Sequence, residues 1–182
     1  MSLRRCRADD VDAVFAYRSR VDVAAHLRAG TWTREHTERE LAIYAAASFD
    51  EAGHELVLLA ETRDASAVAG EVGLVWRAAP IPIAEVGYVF NPDLGGRGLA
   101  TEAVEATTGW ALSERAFSYV IAVTDAANTA SRALCERIGM TLVRTSLSTD
   151  GRDVVECTYA IGNGTATPAE LAHWLRGDQS TV

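Results

Sequence analysis

The sequence predicts an α/β domain on a sheet that mixes antiparallel and parallel strands, and three observations carry that expectation. Glu55–Glu61, Val68–Arg77 and residues 84–90 are β-prone runs joined by short turns, which favours antiparallel pairing. Residues 84–124 read as strand, glycine loop, helix and strand, the signature of a parallel crossover, expected to be right-handed. Residues 141–148 and 153–161, joined by a Thr149-Asp150-Gly151 turn, look like a closing hairpin.

Taken in order, residues 3–6 form a first strand. Asp9 and Asp10 then offer N-caps for a helix that places Val11, Val14 and Phe15 on one side. Residues 21–31 have no clear period and bridge to a second helix. Thr33 caps that helix, Glu35 sits in its first turn, and Leu41, Tyr44 and Ala45 fall at core spacing. Residues 50–53 and 63–66 are turns, and Val68, Val72, Leu74 and Trp76 share one face of their strand. Ala79-Pro80-Ile81-Pro82 breaks the chain before the 84–90 strand, which Asn91-Pro92 stops because proline cannot donate to a ladder. A helix begins near Ala100, with Ala103, Val104, Thr107 and Trp110 at helical spacing, and runs to about Glu114; a strand follows at 119–124. Next comes a helix whose Ser131, Leu134, Cys135 and Ile138 share a face, with Asn128 one turn upstream and Gly139 placed for a left-handed cap. The expected domain covers residues 1–162. A tail at 163–182 carries a short helix at 168–175.

The chain has 182 residues, enough for one domain with a substantial core. A formal charge of −8, from 25 acids and 17 bases, leaves no basic surplus for a nucleic-acid partner. No apolar run is long enough to span a bilayer, so no membrane partner is expected, and MSLRRCRADD turns acidic at once, which points to the cytoplasm. The three cysteines show no paired metal spacing; buried thiols are expected, and no metal. The chain contains no lysine, and Leu99 follows Gly98, which excludes the phosphate loop of the nucleoside triphosphatases, where lysine follows the last glycine. A dinucleotide-binding oxidoreductase expects its glycine loop after the first strand, whereas this loop follows several. The loop itself, Gly95, Gly96 and Gly98 before a helix N-terminus, presents bare N–H groups and a positive dipole end, which suits a phosphate.

Two stretches then fix a resemblance. They are Glu85-Val86-Gly87-Tyr88 through Asn91-Pro92 to Gly95-Gly96-Arg97-Gly98-Leu99-Ala100-Thr101-Glu102-Ala103, and Asn128-Thr129-Ala130-Ser131 through Glu136-Arg137-Ile138-Gly139-Met140. With both in order, nearly the whole chain resembles the GNAT superfamily of acyl-CoA-dependent N-acetyltransferases, most of all the branch of the ribosomal-protein N-terminal acetyltransferases. The resemblance implies a GNAT-like sheet flanked by helices and splayed at the acyl-CoA cleft. It implies acetyl-CoA as co-substrate, its pyrophosphate on the backbone of Gly96, Arg97, Gly98, Leu99 and Ala100, and its pantetheine arm paired with backbone near Val89, where a backbone N–H polarises the thioester. The family loop opens with arginine or glutamine; here that place is Gly95. Arg97 either supplies charge or is solvated.

An acceptor amine must lose a proton, attack the thioester and expel a thiolate. The family's helix tyrosine, the usual proton donor, is replaced by Cys135. The branch resembled implies Ser131 as general acid; the alternative is a small residue that lets the helix pack closely. Asn128 is either a cofactor-contacting amide or a helix N-cap. Glu85 is the candidate base, direct or through water, or else a carboxylate paired with a surface arginine. Tyr88 reads as packing. Cys135 is not expected to act as a nucleophile, because its helical neighbours are apolar. The expected activity is direct acetyl transfer to a primary amine of a small molecule or peptide; the rival is a non-catalytic acyl-CoA-binding or sensor protein of the same fold. Homodimers are common in the family. Specificity is expected in residues 21–31, around residues 79–82 and in the closing hairpin.

Overall fold

The computed structural model describes residues 1–63, 66–151 and 153–177. Its elements in chain order are β1 (Ser2–Arg5), α1 (Val11–Arg18), α2 (Val21–Ala24), α3 (Arg34–Ala46), β2 (Glu55–Glu61), β3 (Val68–Arg77), β4 (Ile83–Phe90), α4 (Leu99–Ser113), β5 (Tyr119–Asp125), α5 (Thr129–Arg137), β6 (Thr141–Leu147), β7 (Val155–Gly162) and α6 (Pro168–Gly177). The strands form one sheet in the order β1-β2-β3-β4-β5-β7-β6. Only β4 and β5 pair in parallel, and the other neighbours are antiparallel. Residues 64 and 65 of the 63–66 turn, and the polar end at 178–182, lie outside the described residues.

Strand alternation divides the core between two faces. Val72, Leu74, Ala84, Val86 and Val120 pack on Val104 and Ala111 of α4 and on Leu134 and Cys135 of α5. Each fully buried valine or leucine there contributes roughly 1.5–3 kcal/mol. That clamps α4 to the sheet and fixes the loop at its N-terminus. On the opposite face Val57, Leu59 and Val89 pack with Val14, Tyr17 and Leu41 from α1 and α3. Farther along that face Leu171, Trp174 and Leu175 of α6 cover Ile83, Tyr119, Ile121 and Ala160.

Four local expectations need correcting. Val68 does not share the face of Val72, Leu74 and Trp76: the register irregularity where it pairs with Glu61 turns it to Val57, Leu59 and Val89. The Asp10 carboxylate does not cap α1; it turns back to accept from the Arg7 N–H at 2.7 Å and from the Arg4 guanidinium at 2.7 and 2.8 Å. A charge-assisted bidentate pair is stronger than a single cap bond. On α1 the enclosed residues are Val14 and Tyr17, with Phe15 only half-buried. Ala45 is exposed, because α3 turns only Thr37 and Leu41 fully inward. Thr33 does cap α3, its hydroxyl accepting from the His36 N–H at 3.1 Å. Gly139 has φ +86° at the end of α5, the left-handed cap expected there. The three cysteines are free and buried. Among the described residues no helix is long and apolar enough to cross a membrane.

Candidate active site

The site begins where two strands part. β4 and β5 pair only at Ile83–Tyr119, Ala84–Val120 and Glu85–Ile121. Beyond Glu85, β4 stays on β3 as far as Phe90, while β5 stays on β7 as far as Asp125. The facing edges therefore lose each other, and backbone groups that need partners line the gap. The Asn91 N–H donates to the Ala69 carbonyl at 2.8 Å, which sets the phase of the β3–β4 ladder. In that phase the odd-numbered residues of β4, Val89 included, turn their N–H and C=O to β3, and Val86, Tyr88 and Phe90 turn theirs to the gap. The expectation of backbone pairing near Val89 thus moves by one residue, to Tyr88 and Phe90, although Val89 does line the cleft.

The cleft has a volume of about 1080 Å³ and runs from β4 over the glycine loop to α5. This slightly exceeds the ~300–1,000 Å³ usual for ligand sites and suits a long ligand. Gly96, Arg97, Gly98, Leu99 and Ala100 all line it. Gly98 is the residue before α4 and has φ +76°, a left-handed conformation that lets the chain enter the helix abruptly. The first α4 bond runs from the Glu102 N–H to the Gly98 carbonyl at 3.0 Å, and the Gly95 N–H is used by the Pro92 carbonyl at 2.9 Å. The helix-end N–H groups between them, such as those of Leu99 and Ala100, are what the start of a helix leaves for an anion. The donor set and cleft length fit the pyrophosphate and arm of coenzyme A. A Cβ at Gly95 would lie 2.9 Å from the Pro92 carbonyl oxygen, so the backbone itself excludes the arginine or glutamine expected at this place.

The far wall is α5. Its Ala130, Ala133, Leu134 and Arg137 form one helical stripe along the cleft, and the Arg137 guanidinium donates to Thr101 Oγ at 3.0 Å. Sequence reasoning passed over Arg137, though its spacing from Ala130 and Ala133 is the signal. Asn128 lines the cleft and is also the cap of α5, its side-chain oxygen accepting from the Ser131 N–H at 3.0 Å. Ser131 faces the cleft, and its Oγ lies 2.8 Å from the Tyr88 hydroxyl. That hydroxyl is also 3.2 Å from the Ser131 carbonyl oxygen and 3.6 Å from Cys135 Sγ. Burial first, then the neighbouring Cys135, pushes Tyr88 above the ordinary phenol range. Burial raises the Cys135 thiol too, which keeps it protonated and a poor nucleophile.

The other face of β4 is different. Glu85 does not border the glycine-loop cleft; its carboxylate is ion-paired with Arg77 Nε at 3.2 Å. Glu85 follows Val75 and Glu55 across the sheet, and Val89 follows Glu71 and Leu59. Between these rows Gly73 stands opposite Gly87, leaving a strip of bare backbone. The space above Gly87 is open, and the Glu55 carboxylate leans over Gly73, 3.3 Å from the place of a Cβ. Burial, then Glu71 and Glu40, raises the Glu55 pKa. Glu71 is buried and held by the Tyr17 hydroxyl at 2.8 Å and by the Arg18 guanidinium. The segment at 21–31 crosses to the far strands, with His26 beside Asp125 at 3.3 Å and Arg28 paired to Glu156 at 2.9 Å and Asp150 at 3.1 Å.

Comparison with known proteins agrees with this architecture. A family model described as "Acetyltransferase (GNAT) domain" matches residues 1–141. No curated protein matches the chain. Among solved structures, a GNAT-family acetyltransferase from Bacillus anthracis is 25% identical with a TM-score of 0.79, covering 88% of this chain and 93% of its own. The spermidine N-acetyltransferase of Vibrio cholerae, solved with CoA and spermine, is 14% identical with a TM-score of 0.74, covering 88% and 94%. The ribosomal-protein-S5-alanine acetyltransferase of Vibrio fischeri is 18% identical with a TM-score of 0.68, covering 91% and 94%. With the family model matching most of its length, and the parted strands and glycine loop in place, this chain belongs to the GNAT acetyltransferases.

Proposed function

We propose that this protein is an acetyl-CoA-dependent N-acetyltransferase that acts on a primary amine by direct attack, without a covalent enzyme intermediate. The observation that carries the reading is the parting of β4 from β5 immediately beside the glycine loop. Bound there, acetyl-CoA supplies a thioester whose acetyl carbon takes the acceptor nitrogen. The backbone of Gly96 to Ala100 holds the pyrophosphate, with the α4 dipole favouring its charge. The gap-facing N–H of Tyr88 or Phe90 receives the charge that develops on the thioester oxygen. Ser131 protonates the departing sulfur, and Asn128 holds the turn that presents Ser131.

The acceptor approaches over the Gly73–Gly87 strip. The carboxylates of Glu55, Glu71 and Glu85 favour a protonated amine there, and Glu85 takes its proton directly or through water. The acceptor is a small-molecule amine or a peptide N-terminus. Thiol release from acetyl-CoA, measured with spermidine, amino acids and a peptide beginning with alanine, tests the proposal. Turnover with at least one of these is expected. Tight acetyl-CoA binding with turnover on none would favour the reading as a non-catalytic acyl-CoA sensor.

A further inference from the structure

The superfamily tyrosine is missing from α5, where Cys135 stands in its place, yet a phenol lies beside that cysteine. It comes from β4. Tyr88 follows Val86 on the face toward α4 and α5, and it leaves the strand just where the β4–β5 gap has opened. Its hydroxyl has three neighbours: Ser131 Oγ at 2.8 Å, the Ser131 carbonyl at 3.2 Å and Cys135 Sγ at 3.6 Å. The Ser131 carbonyl can only accept, whereas across the 2.8 Å contact either hydroxyl can be the donor. Each O···O contact holds one hydrogen. With Tyr88 donating, the Ser131 hydrogen must point elsewhere, and Ser131 faces the cleft.

We propose that Tyr88 is a positioning residue for acyl transfer: its hydroxyl donates to Ser131 Oγ, turns the Ser131 proton toward the departing sulfur and stabilises the oxygen left when that proton is given up. The inference rests on the acetyltransferase reading. In the step itself the nitrogen–carbon bond forms and the carbon–sulfur bond breaks, with its electron pair passing to sulfur. The proton lost by nitrogen leaves by way of Glu85 and solvent; the sulfur receives the Ser131 proton. As Ser131 Oγ gives up its proton it takes the phenolic one, because a serine alkoxide is a far stronger base than a phenolate, and solvent reprotonates the pair afterwards. The Cys135 thiol, on the third side, can donate to the phenol oxygen and polarise the chain Cys135–Tyr88–Ser131 toward the cleft.

Tyr88→Phe removes the hydroxyl and keeps the ring. In turnover with an amine that the wild type accepts, kcat should fall about tenfold, as one hydrogen bond to a charged group is worth, with KM for acetyl-CoA unchanged. Ser131→Ala should fall further, and the Tyr88→Phe/Ser131→Ala pair no further than Ser131→Ala alone, because the first hydroxyl acts only through the second. A second measurement needs no acceptor. The thiol pKa of bound CoA, followed by thiolate absorbance, should lie roughly one unit below that of free CoA, since a donor favours the thiolate. It should return toward the free value in Tyr88→Phe and in Ser131→Ala alike. Additive losses in kcat, or an unchanged bound thiol pKa in Tyr88→Phe, would overturn the relay while leaving the acetyltransferase reading intact. Failure of the wild type to bind CoA would overturn both.

Discussion

On one face of β4 a strand tyrosine meets a helix serine within a single neutral hydrogen bond; on the other, a strand glutamate is tied to an arginine and looks across bare glycine backbone. On the proposed reading the first face receives an anion and a departing sulfur among backbone N–H groups, a helix dipole and hydroxyls, with Arg97 and Arg137 along the same cleft. Backbone N–H groups at a helix start suit a phosphate without a buried side-chain charge. The second face gathers Glu55, Glu71 and Glu85, which on the proposed reading favour a cationic acceptor. One strand serves both because its side chains alternate, and because past Glu85 it has no neighbour on the β5 side. Chemistry at two faces therefore follows from one local loss of pairing.

Substitutions can break or sharpen this contrast. The largest effect is expected from Ser131→Ala, which should lower kcat by ~10²–10⁴-fold if Ser131 is the general acid, with CoA affinity unchanged in calorimetry. An unaltered kcat would return Ser131 to packing and leave the cofactor face without its donor. Glu85→Gln should also lower kcat, by roughly 10²-fold for a lost base, and flatten the acidic limb of the pH–rate profile; an intact limb would mean that water alone takes the amine proton. Gly98→Val should weaken CoA binding by roughly 10–100-fold, because a β-branched residue at φ +76° costs about 1–3 kcal/mol or moves the loop N–H groups. The fold should survive, since nothing lies within 4 Å of the added Cβ. Normal affinity in that variant would place the pyrophosphate elsewhere.

The smallest effect concerns stability. Burial raises the Glu55 pKa in the folded chain, so its ionisation costs stability above that pKa and costs nothing below the ordinary carboxylate range. Glu55→Gln should therefore raise the melting temperature at neutral pH, by at most about 2 °C because the site is partly solvated, and the gain should vanish in acid. A gain that persists in acid would mean that the carboxylate crowding on this face is not its source.

Much of the architecture could be read from the chain. The alternation in Val68–Arg77, the Asn91-Pro92 stop, the glycines before α4 and the apolar face of α5 are local patterns, and local patterns place elements. Thr33 as a cap and Gly139 as a left-handed terminus needed only their neighbours in sequence. Asp10 was misread for the opposite reason: its partner Arg4 lies in another element, and a charged pair outcompetes a cap. Tyr88 was read as packing because its meaning depends on a helix 43 positions farther along the chain. The resemblance points only to backbone near Val89, and the phase of the ladder turns the groups of Tyr88 and Phe90 to the gap.

The order of the elements and the glycine loop at a helix start are legible in the chain alone, because backbone conformation depends on residues within a turn or two, whereas Asn128 read also as a cofactor contact until the structure showed its cap on Ser131. Only the tertiary structure decided where β4 parts from β5, that Tyr88 stands beside Ser131 and Cys135, and that Glu85 falls on the opposite face with Arg77. Those outcomes depend on register, pairing and close packing between segments far apart in the chain, which no local pattern encodes.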